Sequence, residues 1–553
     1  MIGLLTAHPP FCRPAFHIGM IADPGCAVTR LDAMRAILAA VADAVRGTVA
    51  EADAGIFAPG PPHLRCLIVL AGSTDGLLAE AAAAEGFALQ VVLPGPSHGV
   101  TPALRAEAVL ELDGATDSRL EASRVVLDQS DLIIALDNGT AGIVAQLLAE
   151  AEARDQPAIT ADPSGQRPAI LLLPGIPGQF AAFEAPDWRI QLAPLVRAAL
   201  LPGAAGEETA PALRRYLAET QPVLPWYGGL SAPVERLLLR GWVPPAGHAV
   251  AAIPPGPLDQ HLLWADELAI LYARLHRSFV TLRYLLTLPT ALGACIAFYL
   301  NVDGAKAVGF GLQAASLTGI LQITKLNRKQ QWLARFTDDR LLAELLRHQR
   351  ILGALGRTVP AVSRAPHRPD AAVNWVSWYL RAAVREAGLP NDRMTPARLD
   401  ALLGLLRGEL EEQRDYHRRT AARYDVLEHR LDCIGNRLYM LGLTAVGLRA
   451  LIWLTFNGRT PPFNTMWLDI ASFVLPALAP VFLGLRSQAE YARLAMQSHA
   501  MANQLDMVLQ ALDGPRTPSH AQLSRVAAAA SRIMVREASD WRLAVKAKPV
   551  SAT

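Results

Sequence analysis

The first part of the chain alternates short apolar runs with amphipathic helical patterns. The apolar runs are "AFHIGMIAD", "LRCLIVLAG", "FALQVVLPGP", "SDLIIALD" and "PAITAD", and helix-type segments such as "RLDAMRAILAAVADAV" separate them. Near-continuous apolar strands that alternate with helices are typical of a parallel sheet covered by helices. The pattern therefore predicts an α/β domain over residues 1–175.

Four later segments are apolar enough to predict membrane spans: residues 284–300, 307–324, 438–456 and 466–485. Each is near the ~20 residues that a helix needs to cross the hydrocarbon core. The short connectors "NVDGAK" and "NGRTPPFNT" predict two helical hairpins, since helices satisfy their own backbone in lipid. The alternative is a pair of buried hairpins in the core of a large soluble protein.

Basic residues flank the first predicted hairpin on both sides, including Arg274, Arg283, Lys325 and Arg328. By the positive-inside rule this side faces the cytoplasm. The prediction is a multi-pass protein of the inner (plasma) membrane with both termini in the cytoplasm.

These patterns divide the chain into six predicted regions. They are an α/β ligand-binding domain (1–175), a Pro/Gly-rich connector (176–258), a helix with the first hairpin (259–324), cytoplasmic amphipathic helices (325–437), the second hairpin (438–485) and a cytoplasmic carboxyl-terminal helix and tail (486–553). The third helical pattern begins with Thr395 as the predicted N-cap and Pro396 at the first helical position.

Composition agrees with a membrane protein, because 52% of the residues are hydrophobic and 18% are charged. The formal net charge of +2 gives no reason to expect nucleic acid as a partner. The five cysteines form no CxxC pair and indicate buried thiols rather than a disulfide framework or a metal site. No cofactor is predicted from these features.

Two glycine-containing turns follow predicted strands and precede predicted helices: "AGSTDG" (71–76) and "DNGTAG" (137–142). Glycines let the backbone approach an anion, and hydroxyls and helix-start N–H groups donate to it. The candidate ligand-binding residues are Gly72, Ser73, Thr74, Asp75, Asn138, Gly139 and Thr140. Ordinary βα-turn and capping chemistry uses the same residue types and is the alternative.

The stretch "LIVLAGSTDGLLAEAAAAEGFALQVVLPGP" and the later "VVLDQSDLIIALDNGTAGIVAQLLAEAEARDQPAITAD" resemble the SLOG superfamily. Proteins of this Rossmann-like superfamily are related to DprA, to LOG phosphoribohydrolases and to the sensor region of TRPM channels. The resemblance implies binding of a nucleotide or a nucleotide-derived signal.

The helical segments "ADELAILYARLHRSFVTLRYLL", "WLARFTDDRLLAELLRHQRILGALGRTVP" and "NWVSWYLRAAVREAGLP" resemble SLATT-like bacterial transmembrane proteins. That resemblance implies a channel-forming or membrane-perturbing effector in defence against phage. Together the two resemblances cover about four-fifths of the chain.

The chain departs from the SLOG pattern at the turn that reads G-G-T-A-E in that superfamily. Gly142 stands where the pattern has glutamate, and in LOG-type enzymes that acid carries the hydrolysis. The basic residue of the first SLOG stretch is also absent, although Asp75 is retained. Binding without turnover is therefore predicted, and no catalytic residue is assigned.

The prediction is a ligand-gated membrane effector that works as a homo-oligomer in membrane lipids. The alternatives are a membrane-tethered phosphoribohydrolase-like enzyme and a structural membrane protein with a degenerate SLOG-like assembly domain. Arg449, inside the third predicted span, is a candidate pore-lining charge, or alternatively reaches out to the lipid headgroups.

Overall fold

Within the described part of the chain, nine strands form one sheet in this computed structural model. The structure describes residues 8–24, 26, 28, 31–52, 55–96, 105–115, 118–137, 142–164, 167–174, 179–184, 187–202, 209–220, 223–246, 255–299, 303–359, 375–457, 465–489, 491–512 and 518–547. The strands are β1 (Ala15–Ala22), β2 (His63–Val69), β3 (Ala88–Leu93), β4 (Ala106–Glu111), β5 (Leu132–Leu136), β6 (Ala158–Ala161), β7 (Ile170–Pro174), β8 (Phe180–Phe183) and β9 (Asp392–Arg393).

The strand order is β8-β7-β6-β5-β1-β2-β3-β4-β9. Seven neighbouring strands pair in parallel, in the spatial order β6, β5, β1, β2, β3, β4 and β9. Strand β7 runs antiparallel to both of its neighbours, β6 and β8. The predicted α/β domain with a mainly parallel sheet is confirmed.

Helices cover both faces of the sheet, as the near-continuous apolar strands require. The helices of this part are α1 (Leu31–Ala50), α2 (Ser73–Ala84), α3 (Ser118–Gln129), α4 (Ile143–Ala153) and α5 (Asp187–Leu200). One face packs against α1, α2 and α5, through strand residues such as Ile18 and Met20. The other face, with Leu67 and Ile133, packs against α3 and α4.

After α5, the described residues are mainly helical, with β9 as their one strand. The helices are α6 (Thr209–Leu217), α7 (Ser231–Leu238), α8 (Asp259–Leu285), α9 (Thr287–Tyr299), α10 (Asp303–Gln330), α11 (Trp332–Ala354), α12 (Trp375–Ala387), α13 (Pro396–Thr455), α14 (Met466–Ala489), α15 (Tyr491–Leu512) and α16 (His520–Ala547). The segment predicted as a connector contains β8, α5, α6 and α7.

The helical half and the second face of the sheet share one hydrophobic core. Leu110 of β4 and Val125 of α3 belong to the same buried cluster as residues of α8, α11, α12, α13 and α16. Gly356, after α11, has a φ of +69°, and a Cβ there would lie 2.6 Å from Leu110 Cδ2. The backbone after α11 therefore approaches the sheet as closely as a glycine permits.

Helix α12 ends against the amino-terminal edge of β1 and β2. The guanidinium of Arg385 forms hydrogen bonds of 2.9 Å with both carboxylate oxygens of Asp131, directly before β5. The same group donates to the carbonyl of Ala199 in α5 at 3.0 Å. Arg65 of β2 donates to the Arg385 carbonyl and, at 3.0 Å, to the Glu386 carbonyl. Buried charged side chains thus join α12 to three parts of the α/β domain.

Strand β9 passes directly into α13. It pairs in parallel with the end of β4, with Leu110 opposite Asp392. The hydroxyl of Thr395 then accepts a hydrogen bond of 3.2 Å from the Arg398 N–H, and Pro396 opens the helix, so the predicted N-terminus is confirmed. Helix α13 has 60 residues, a length of about 90 Å.

Among the described residues, four helical segments are long and apolar enough to cross a membrane: Asp259–Ala297, Gly304–Ala354, Pro396–Thr455 and Met466–Leu512. Each contains most or all of one of the predicted spans. Large apolar side chains are exposed along them, including Phe310, Leu321, Leu451 and Trp467. These features fit a membrane protein, because lipid rather than water would surround such a surface.

The apolar helices pack in two antiparallel pairs. In the first pair, a Cβ on Gly293 of α9 would lie 2.5 Å from the Gly309 carbonyl oxygen of α10. In the second, a Cβ on Gly442 of α13 would lie 2.6 Å from the ring of Pro476 in α14. Small residues at both contacts let the helix backbones approach closely, as in membrane helix packing.

Candidate functional site

The candidate site lies where the strand order reverses. β2 lies on one side of β1 and β5 on the other, so the chain winds outward in both directions from β1. In open parallel sheets, ligands bind outside the carboxyl ends of the two strands at such a point. Asp23 follows β1 at this edge, and Gly142 precedes α4 beside it.

Asp23 caps the start of α4 from a neighbouring loop. Its side chain is buried, with 6% of the residue exposed, and Oδ1 accepts a hydrogen bond of 3.1 Å from the Val144 N–H. The positive end of the helix dipole favours a carboxylate at this position. Oδ2 is also buried but accepts no hydrogen bond within the part of the chain that the structure describes. One oxygen of Asp23 is thus committed to the helix, and the other is available to a donor.

Gly142 is required by this arrangement. A Cβ at this position would lie 2.4 Å from Oδ1 of Asp23 and 2.7 Å from its Cγ. The backbone of Gly142 is extended, with φ −127°, so the need for glycine comes from the close carboxylate and not from the torsion angle. A glutamate at 142, as in the SLOG pattern, would displace Asp23.

Replacing Gly142 by alanine should lower the free energy of unfolding by about 1–3 kcal/mol, because the carboxylate must move off Val144. The matched control is Gly72→Ala, since Gly72 also precedes a helix but a Cβ there would meet only Asp75 Oδ2, at 3.8 Å. Thermal unfolding of the full-length protein measures both changes. Equal stability of the two variants would contradict the assigned role of Gly142.

The first predicted turn divides into exposed and buried halves. Gly72 and Ser73 are exposed at the start of α2, whereas Asp75 is buried. Oδ2 of Asp75 accepts a hydrogen bond of 2.9 Å from the Ala71 N–H, and the Thr74 hydroxyl donates to the Cys26 carbonyl. Thr74 and Asp75 therefore hold the turn and the loop after β1 in place, and Gly72 and Ser73 are the predicted residues left facing solvent.

Arg119 of α3 supplies a basic group that the turn itself lacks. Its Nη2 lies 3.3 Å from Asp75 Oδ1 and donates to the Ala22 carbonyl at 3.2 Å. This residue lies outside the two glycine turns, so the sequence pattern did not indicate it. Arg119 brings the ends of β1, α2 and α3 together at the rim of the site.

The rim is acidic. Burial raises the pKa of the Cys26 thiol, and the nearby carboxylates of Asp23, Asp162 and Asp75 raise it further. Three acids therefore lie around one buried cysteine at the carboxyl ends of β1, β2 and β6. Carboxylates favour hydroxyl and amino donors, such as ribose hydroxyls, over a phosphate.

The second predicted turn can be placed only in part. Asn138, Gly139 and Thr140 lie outside the described residues, so their predicted contact with the ligand stays a prediction. Gly142 and the start of α4 are described, and they lie beside Asp23 at the strand-order reversal.

Arg449 lies in the apolar second part of α13, far along this helix from the α/β domain. Its guanidinium forms an ion pair with Asp469 of α14, and the side chains are 35% and 19% exposed. The Thr465 hydroxyl donates to the same carboxylate at 3.4 Å. The candidate membrane charge thus has an acidic partner within the second helix pair.

No protein-family model, curated protein or solved structure matches the chain.

Proposed function

We propose that the protein is a ligand-gated membrane effector. Its SLOG-like domain binds a nucleotide-derived signal, and its SLATT-like helices carry the response to membrane helices that form a pore or perturb the bilayer. The proposal includes a homo-oligomer in the bacterial inner membrane, both termini in the cytoplasm, and a role in antiviral defence.

The observation that carries this proposal is the continuity of β9 with α13. The edge strand of the sheet and a candidate membrane-spanning helix are one segment, with Met394 and Thr395 between them. The Met394 N–H also donates to the Glu111 carbonyl of β4 at 2.7 Å. A change in the sheet edge would therefore be passed directly to the start of the long helix.

The chemistry of the crevice supports a nucleotide-type ligand. Oδ2 of Asp23 is a buried acceptor with no donor among the described residues, and Oδ1 already accepts from the Val144 N–H at the start of α4. The ribose of such a ligand supplies hydroxyl donors for this carboxylate. Such a ligand can gate the protein only if it binds one conformation more tightly than another.

The membrane half of the proposal rests on the two helix pairs. We propose that α9–α10 and α13–α14 are transmembrane hairpins, with their connectors on the side opposite the α/β domain. The Arg449–Asp469 ion pair gives the second hairpin a polar element near its connector. Charged groups at membrane depth commonly face a bundle interior or a water-filled cavity, which fits a pore.

Dye release from liposomes that contain the purified full-length protein tests the proposal. The probes are AMP, ADP, cyclic AMP, NAD and ADP-ribose, and each is also tested for a thermal shift. We expect at least one probe to raise the Tm and to trigger release. If no probe triggers release, the gated effector is contradicted; no Tm response to any probe would favour the structural alternative.

Inserting two glycines after Met394 should abolish triggered release while the thermal shift by the probe is retained. The matched control inserts two glycines after Gly60, in the exposed loop between α1 and β2. This control should keep both responses. Triggered release that survives the insertion after Met394 would show that α13 does not transmit the signal.

A second candidate, a phosphoribohydrolase-like enzyme, is favoured by Oδ2 of Asp23, which has no donor in the described part of the chain. A carboxylate that contacts a ribose can stabilise the charge that develops when the glycosidic bond breaks. Incubation of the full-length protein with AMP, followed by assay for free adenine, tests this candidate. Release of adenine by the wild type but not by Asp23→Asn would establish it, and no release would exclude it for this substrate.

A further inference from the structure

Three potential metal ligands meet at a place remote from the crevice. They are Cys12, in the segment before β1, His261, in the first turn of α8, and Glu386, in the last turn of α12. One ligand atom of each residue lies within 4.8 Å of those of the other two. Cys12 and His261 are buried, and Glu386 is half-buried. Because Cys12 precedes β1 and Asp23 follows it, this cluster lies at the opposite end of the strand from the crevice.

Hydrogen bonds set the orientation of the histidine. Nδ1 of His261 lies 2.8 Å from the Tyr379 hydroxyl oxygen. That hydroxyl donates its one proton to the Pro10 carbonyl at 2.6 Å. The hydroxyl oxygen therefore accepts from Nδ1–H, and Nε2 carries the lone pair. Histidines that bind metals are commonly held in this way through the other ring nitrogen.

The two other residues are also held in place. The Cys12 carbonyl accepts a hydrogen bond of 2.9 Å from the Ala58 N–H. Burial raises the pKa of Glu386. A hydrogen bond from the Arg13 N–H to the Glu386 carboxylate acts in the opposite direction and lowers this pKa by a smaller amount. Burial and then the charge of Glu386 raise the pKa of the Cys12 thiol well above its usual value. A bound cation would reverse that effect, since a coordinating thiol is deprotonated.

The spacing suits a transition metal. Three atoms no more than 4.8 Å apart leave a central point at most about 2.8 Å from each. Small side-chain movements toward that point reach the distances of about 2.0–2.3 Å that zinc makes with sulfur, nitrogen and oxygen. A thiolate and an imidazole favour zinc over calcium or magnesium, which take oxygen ligands.

We propose that Cys12, His261 and Glu386 bind one Zn²⁺ ion, with a water molecule in the fourth position. This reverses the prediction that the cysteines bind no metal. The ion would tie the segment before β1 and the end of α12 to the start of α8. Since α8 leads into the first apolar helix pair, the ion would fasten the α/β domain to the membrane half.

Cobalt substitution tests the site directly. Full-length protein in detergent is treated with a chelator, dialysed, and titrated with Co²⁺ and then with Zn²⁺. We expect the near-ultraviolet absorption of a cobalt–thiolate bond at one ion per chain, and its loss when Zn²⁺ displaces cobalt. Absence of this band in the wild type would overturn the proposal, because Cys12 would then not bind the ion.

Variants assign the ligands. Cys12→Ser should abolish the cobalt–thiolate band, and Glu386→Gln should weaken Zn²⁺ binding by about 100-fold or more. The matched control is Cys433→Ser, because Cys433 Sγ lies 3.5 Å from His429 Nε2 on α13 and is a competing pair. This variant should keep the band. A band that persists in Cys12→Ser, or disappears in Cys433→Ser, contradicts the assignment.

A stability readout accompanies the spectra. Zn²⁺ should raise the Tm of the chelator-treated wild type and of Cys433→Ser, but not that of Glu386→Gln. Glu386 is half-buried and its replacement is conservative, so this variant is expected to fold. If Zn²⁺ raises the Tm of Glu386→Gln as much as that of the wild type, Glu386 is not a ligand of the ion.

Discussion

Replacing Arg449 by leucine is expected to destabilise the protein, whereas replacing Arg449 and Asp469 together by leucine restores most of the loss. Each single change leaves one charge without its partner between two apolar helices. A lone charged residue at the centre of a membrane helix costs about 2.5–3.5 kcal/mol, and less near its ends. We therefore expect losses of about 1–3 kcal/mol for Arg449→Leu and for Asp469→Leu.

Thermal unfolding of full-length protein in lipid nanodiscs measures this double-mutant cycle. The control is Arg437→Leu, which removes an exposed arginine from the same helix before the predicted span. It should change the Tm little. If the double variant is as unstable as the sum of the single variants, Arg449 and Asp469 do not stabilise each other in the membrane.

Replacing Arg385 by methionine is expected to lower the free energy of unfolding by about 3–5 kcal/mol, several degrees in Tm. The methionine keeps much of the volume but removes the guanidinium partner of the half-buried Asp131 carboxylate, which keeps a hydrogen bond of 3.1 Å from the His17 N–H. The Ala199 carbonyl also loses its donor. The cost is large because removing the cation of an ion pair that is mostly shielded from water leaves the remaining charge poorly compensated.

The control for this prediction is Arg393→Met, a change in β9 close by in sequence. Arg393 pairs with Glu111 at 3.0 Å, but its side chain is 76% exposed. Exposed ion pairs contribute at most about 1 kcal/mol, so this variant should unfold near the wild-type temperature. A similar loss in both variants would mean that the buried position of Arg385 is unimportant. Intrinsic tryptophan fluorescence follows unfolding in both variants.

The sequence predicted the strands that are buried on both faces. β1, β2, β3, β5 and β6 appear as apolar runs, because helices cover both sides of each strand. β4 reads "AEAVLE" and alternates between buried and partly exposed residues, so no continuous apolar run marks it. β9 has only two residues, both charged, and pairs with β4 at two positions, so no apolar side-chain pattern could indicate it.

The sequence predicted where the candidate site lies in the fold, but not all of the residues that form it. Asp23 directly follows the first apolar run, which is a signal that could have identified it. The glycine at 142 was noted as a departure from a family pattern, and the structure gives its cause in the close carboxylate of Asp23. Arg119, like the cluster of Cys12, His261 and Glu386, depends on residues brought together by the tertiary fold, which spacing along one segment cannot reveal.

The position of β9 has a consequence for biosynthesis. The ribosome makes the chain from the amino terminus, and domains generally fold as they emerge. Here the last strand of the sheet, and the arginine that neutralises Asp131, come from residues 375–393, after the first two apolar helices. In the proposed membrane topology, those helices reach the insertion machinery while the α/β domain still lacks its edge strand. The chain would then enter the bilayer before its amino-terminal domain finishes folding.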